Sequence, residues 1–185
     1  MQNDRKLVIF DLNGTILHAT KNRLRHEPQF QARQYHIYIR PNVFEVLEKL
    51  ATHYDIAFWS SGSNWFVDSV VEQLLSKHIK AAFQWGSSQC TYVNKTLVPG
   101  RFEIYRKDLQ NVVKLGYQWQ NILMIDDTPI KILPNDKNVI QPKTYTGKVL
   151  DDEFEFLYHY LLYLKTVEDV RTIDKTTWKT SYKFI

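Results

Sequence analysis

Residues Leu7-Val8-Ile9-Phe10 run without a break into Asp11, and Leu12-Asn13-Gly14-Thr15 follow. Four consecutive apolar residues leave no polar face. As a strand, such a segment has to be covered on both sides, which is the situation of a parallel sheet in an α/β fold. A strand buried in this way that ends on a carboxylate puts it at the carboxyl edge of the sheet, where open α/β folds bind ligands. Taken alone, the stretch keeps a second reading, because Asn-Gly is also a strong hairpin signal.

The same pattern recurs twice. Ile56-Ala57-Phe58-Trp59 leads into Ser60-Ser61-Gly62, and Ile122-Leu123-Met124-Ile125 leads into Asp126-Asp127. Further strands are expected at residues 35–39, where Tyr35, Ile37 and Ile39 alternate with polar neighbours, at 81–85, and at Val139-Ile140. Pro41 suits the first turn of a helix, with Phe44, Leu47, Leu50 and Ala51 as its apolar face. Ser63 or Asn64 would cap a second helix, whose Phe66, Val67, Val70, Val71, Leu74 and Leu75 form a core stripe. Residues 103–115 read as a helix stopped by Gly116, after a turn at Pro99-Gly100. Asp151-Asp152-Glu153 suit a helix N-terminus, with Phe154, Leu157, Leu161 and Leu164 on one face. Residues 20–34 read as an irregular polar loop.

Strand and helix in alternation predict a three-layer, Rossmann-like α/β domain with a central parallel sheet and a small insertion after the first strand. The domain is expected over residues 1–171, with the insertion at about 18–40 and a Thr- and Lys-rich arm at 172–185. At 185 residues the chain suffices for one well-buried domain. With 14% aromatic and 44% apolar residues it is not a disordered composition. Its single cysteine, Cys90, excludes an intramolecular disulfide and a cysteine-based zinc cluster, and fits a nuclear or cytoplasmic setting. No apolar run is long enough to span a bilayer, and the first strand starts too early for a leader peptide. The net charge of +4 arises before residue 41, where seven basic residues face three acids. Such a patch favours anionic partners, although a solvated surface is an equal reading and nucleic-acid binding rests on charge alone.

Singly, each motif has an ordinary explanation: Ser60-Ser61-Gly62 a loop, Lys107 a surface lysine, Asp126-Asp127-Thr128-Pro129 a helix cap. In this order they resemble the four motifs of the haloacid-dehalogenase superfamily. Arg40-Pro41, Ile56 to Ser61, Cys90-Thr91, Lys107-Asp108-Leu109 and Ile122 to Pro129 resemble one branch more closely, the FCP-like and small C-terminal-domain (NLI-interacting-factor-like) phosphatases. The resemblance covers roughly residues 6–171.

The resemblance implies a Mg²⁺-dependent phosphoserine/phosphothreonine phosphatase acting on a protein segment such as the tail of RNA polymerase II. Asp11 would form an aspartyl-phosphate. Thr15 would brace its loop, and Ser60 and Lys107 would hold phosphoryl oxygens. Asp11, the Asn13 backbone carbonyl, Asp126 and Asp127 would ligate Mg²⁺. The family pattern has a second aspartate at position 13, which protonates the leaving group and activates water. An asparagine there implies an attenuated enzyme, or else a catalytically silent binding module like the Tim translocase receptor. Lys21, Arg23, Arg25 and Arg33 are expected to guide an acidic or phosphorylated chain. Trp59 and Trp65 either wall the pocket or belong to the core.

Overall fold

The computed structural model describes residues 5–75, 79–93, 104–132 and 136–181. In chain order the first half contains β1 (Leu7–Phe10), β2 (Leu17–Thr20), β3 (Phe30–Ala32), β4 (Tyr35–Ile39), α1 (Val43–Ala51), β5 (Asp55–Trp59) and α2 (Asn64–Leu74). The second half contains β6 (Gln84–Trp85), β7 (Thr91–Val93), β8 (Ile104–Arg106), α3 (Gln110–Val113), β9 (Ile122–Ile125), β10 (Val139–Ile140), α4 (Glu153–Thr166) and α5 (Trp178–Ser181).

The apolar runs form the middle of a five-stranded parallel sheet in the order β10-β9-β1-β5-β6. Successive side chains point to opposite faces, and both faces are covered. Val8, Phe10, Ile56, Phe58, Leu123 and Ile125 pack with residues of α1, α2 and α4. Leu7, Ile9, Ala57, Trp59, Ile122 and Met124 pack with Leu109, Val112 and Tyr117. These are the three expected layers. The register aligns Phe10 with Phe58 and with Ile125, so Asp11, Ser60 and Asp126 emerge together at one edge.

Four local expectations are corrected. Residues 20–34 are not all loop: β2, β4 and β3 form an antiparallel sheet in that order, and the three-residue β3 is too short to show a period. α1 starts at Val43, after Pro41 and a left-handed Asn42, and buries Val43, Val46, Leu47 and Leu50. Phe44 therefore falls on the outer face and is 47% exposed. The helix expected over 103–115 is confined, among the described residues, to Gln110–Val113. Ile104–Arg106 instead pairs antiparallel with Thr91–Val93. The helix ends at Val113 with Lys114 as its C-cap, and Gly116, at φ +100, lies in the turn that follows; Pro99-Gly100 lies outside the described residues. Of residues 81–85 only Gln84 and Trp85 are strand.

Residues 172–181, read as an arm, pack back on the domain. Trp178 is buried, donates its indole N–H to the Gln141 carbonyl at 2.9 Å and meets Tyr160 on α4. Just before it, the buried Lys175 ammonium donates to the carbonyls of Lys137 (2.8 Å), Ile173 (3.0 Å) and Val170. Burial pulls its pKa down to about 8. Lys175→Met is expected to cost about 1–3 kcal/mol, because the carbonyls lose a buried donor. An unfolded lysine keeps its proton to about 10.5 and the folded one does not. The native protein's advantage over the variant should therefore widen between pH 8 and 10, as read from urea unfolding midpoints.

The β3–β4 connection is two residues, Arg33-Gln34, since Ala32 pairs with Tyr35. Arg33 adopts φ 53, a left-handed conformation that costs a residue with a Cβ about 1–2 kcal/mol. Its guanidinium lies over the Trp65 ring, 4.0 Å from the centroid.

Candidate active site

The chain leaves β1 at Asp11 and turns at once. The Asp11 N–H donates to the Ile125 carbonyl at 2.9 Å, and the N–H groups of Thr15, Ile16 and Leu17 converge on the Leu12 carbonyl. This helical turn points Asp11 and Asn13 into a cleft of about 300 Å³ shared with Tyr35, Ser60, Trp65 and Lys131. Gly14 sits at φ +93, and a Cβ there would lie 2.7 Å from Asp127 Oδ2. Only glycine lets the two loops approach this closely.

Thr15 is fully buried, and its hydroxyl accepts the Asp127 N–H at 3.1 Å, tying the first loop to the acidic pair. Arg40 clamps the same loop from behind. It donates to the Thr15 carbonyl at 3.0 Å and the Lys143 carbonyl at 2.8 Å, and holds Asp151 through two nitrogens at 2.6 and 3.0 Å.

Lys107 follows β8, and its backbone N–H is held by the Lys131 carbonyl at 2.8 Å. Its fully buried ammonium bridges Asp11 Oδ1 at 2.5 Å and Asp126 Oδ2 at 2.6 Å. Burial alone would lower the Lys107 pKa, but the two carboxylates overcome it and hold the pKa above the ordinary value. Burial raises the Asp11 pKa to about 6; Lys107 opposes the rise and Asp126 adds to it. Asp126 is satisfied on both oxygens, accepting the Thr128 N–H at 2.8 Å on Oδ1. Asp11 Oδ2 is buried without a hydrogen-bond partner among the described residues.

That orphaned oxygen belongs to a cluster. Asp11, Asp126 and Asp127 each offer a carboxylate oxygen, all within 4.8 Å of one another. Lys107 neutralises part of this charge, and Lys131 stands on the cleft wall. Three carboxylates against two ammonium groups leave a net negative site, and oxygen donors are what Mg²⁺ prefers. The donor set and the unpartnered Asp11 oxygen fit a divalent cation. Asp127 is braced for such a role by the hydroxyls of Thr144 at 2.8 Å and Thr128 at 3.3 Å.

Ser60 is buried beside the cleft, with its oxygen accepting the Gly62 N–H at 3.1 Å. Its own O–H is left to donate. Asn13 Oδ1 accepts the Ala19 N–H at 2.8 Å, so the rest of its amide can only donate.

The structure thus gathers Asp11, Asn13, Thr15, Ser60, Lys107, Asp126 and Asp127 at one sheet edge. Of the two tryptophans left open between pocket wall and core, Trp65 lines the cleft. Trp59 does not: it is fully buried on the other face of the sheet, edge-on to Trp85 at 5.0 Å. Strand alternation decides this, since Trp59 follows Phe58 and faces away from the core that Phe58 enters. Lys21, Arg23 and Arg25 are exposed and line no part of the cleft; Arg23 pairs with Glu27. Lys131 was missed by sequence reasoning. Its one signal was its place four residues after Asp127, where an isolated lysine reads as surface.

The chain is similar to "Phosphatase Herzog" of Drosophila melanogaster, 23% identical over 176 residues, covering 91% of this chain and 47% of that protein. It is also similar to "Nuclear envelope morphology protein 1" of Saccharomyces cerevisiae, 22% identical over 186 residues, covering 93% and 42%. The chain spans about half the length of these relatives. Two solved structures of Fcp1, an RNA polymerase II CTD phosphatase, share the fold. The fission yeast protein bound to beryllium fluoride superposes with a TM-score of 0.56 at 18% identity, over 82% of this chain and 45% of that one. The second has a TM-score of 0.57 at 15% identity, over 95% and 56%. The sequence profile of one family matches residues 6–171, a span that takes in every residue gathered at the sheet edge. The chain belongs to the NLI interacting factor-like phosphatase family.

Proposed function

We propose that the chain is a Mg²⁺-dependent protein serine/threonine phosphatase working through an aspartyl-phosphate on Asp11, slowed by Asn13. The observation that carries this is the state of Asp11. One of its oxygens is held by Lys107, the other is buried and unpartnered, and the residue lines the cleft. The substrate is a phosphorylated protein segment, of which the RNA polymerase II tail is one example, in a nuclear or cytoplasmic setting.

An Asp11 oxygen attacks phosphorus while the seryl oxygen departs with the bonding pair. Lys107 and the Ser60 hydroxyl face the charge spread over the equatorial oxygens, and Lys131 adds a cation at the cleft wall. Asp11, Asp126 and Asp127 would hold Mg²⁺, which supplies charge neutralisation of the phosphoryl group. Water then attacks phosphorus and returns the Asp11 carboxylate and inorganic phosphate. Both steps move a proton, at the seryl oxygen and at the attacking water. The Asn13 amide can accept neither duty, so solvent water supplies the proton to the seryl oxygen and takes up the one lost by the attacking water, which is the slow feature of this site.

The expected result is Mg²⁺-dependent release of phosphate from an aryl phosphate, reduced at least a hundredfold in Asp11→Asn. Beryllium fluoride should bind the native protein only with Mg²⁺. No turnover and no beryllium fluoride binding would instead support the silent binding module.

A further inference from the structure

Trp65 is the wall between two hollows. On one side it lines the catalytic cleft with Asp11 and Ser60. On the other it lines a shallow groove of about 390 Å³ between β3 and α2, with Phe30, Arg33, Ser69 and Glu72. A peptide whose phosphoserine enters the cleft has this groove as a neighbouring path. Arg33 sits at the boundary, its guanidinium over the Trp65 ring. Stacking occupies the flat face of a guanidinium and leaves its N–H edge to hydrogen-bond. Among the described residues no carboxylate, Glu72 included, lies within ion-pair distance of Arg33.

The backbone supplies an independent observation. Arg33 holds φ 53 in a two-residue hairpin turn, where glycine or asparagine would be unstrained. A residue kept in such a conformation against its own preference points to a task beyond the turn.

We propose that Arg33, fixed on Trp65, is a subsite for an anionic side chain carried by the substrate near its phosphoserine: a carboxylate or a second phosphate. This deepens the phosphatase reading and rests on it. Lys21, Arg23 and Arg25 lie outside both hollows, and Arg23 is engaged by Glu27, so of the four basic residues expected to guide the chain only Arg33 lines either hollow.

The test uses three phosphoserine peptides that differ only in a flanking residue: Gln, Glu, or a non-hydrolysable phosphonate mimic of phosphoserine. The native protein should favour Glu over Gln in kcat/KM by about three- to fivefold, as a half-exposed arginine–carboxylate pair allows, and less at high salt. A preference for the phosphonate alone identifies a second phosphate as the ligand. In Arg33→Gly, which suits the turn and folds without strain, the preference should fall to near unity. A preference that survives in Arg33→Gly overturns the proposal, as does an equal loss on all three peptides. Fluorescence anisotropy of the same peptides reads the preference without turnover. Absence of hydrolysis would therefore sink the phosphatase reading, while loss of the binding preference would sink the subsite.

Discussion

Lys107→Met should be among the most damaging single substitutions in the protein, for both stability and turnover. The native ammonium is fully buried between Asp11 and Asp126 at 2.5 and 2.6 Å. Methionine keeps the volume and removes the charge, leaving two buried carboxylates without their shared cation. Breaking a buried ion pair from one side costs about 3–5 kcal/mol. Part of that cost is escaped by taking up a proton, since the remaining acid's pKa rises further. The folded-state carboxyl pKa then lies above its unfolded value, so the penalty is full at pH 8 and shrinks as pH falls toward 5. Urea unfolding of both proteins at the two pH values checks this, and adding Mg²⁺ at pH 8 should restore part of the loss. Turnover of an aryl phosphate should fall about 10²–10³-fold, the usual cost of removing one charge-stabilising donor. A variant as stable as the native protein at pH 8 would show that the carboxylates are not ionised together in the fold.

Asn13→Asp should act in the opposite direction. General acid–base catalysis is typically worth about 10²–10⁴-fold, and an alkoxide leaving group depends on it more than a phenolate does. Turnover of a phosphoserine peptide should therefore rise by about that range, and turnover of an aryl phosphate by less. The structure shows why the replacement is local. Asn13 Oδ1 already accepts the Ala19 N–H at 2.8 Å, and an aspartate can keep that bond with one oxygen while the other faces the cleft. Equal gains on the two substrates would mean that position 13 tunes charge rather than proton transfer.

How much was legible in the sequence follows the length of each pattern. Four-residue apolar runs ending in Asp11 and Asp126 pointed to strands inside a covered parallel sheet, and their recurrence outweighed the hairpin that Asn13-Gly14 alone would suggest. The stripes of α2 and α4 were equally plain. Short elements failed: β3 and β8 are three residues each, so their pairing partners, not their periodicity, define them. That is why Ile104–Arg106 read as helix and Lys107 as a helix lysine. Phe44 and Trp59 show the same limit at single positions. Each is apolar and adjacent to buried residues, and only the phase of α1 and the pleat of β5 decide which way it faces.

The sequence by itself determined the acids, the lysine and the strands that end on them, since chemistry and hydrophobic pattern are local properties. Tertiary structure decided what lies next to what. It set Lys107 between two carboxylates rather than on a surface, and left one Asp11 oxygen without a partner. It brought Lys131 into the cleft and laid Arg33 on Trp65. These are contacts between residues about 20 to 120 positions apart. They depend on strand register and on the angle of loops, and no window of sequence encodes a distance across the sheet.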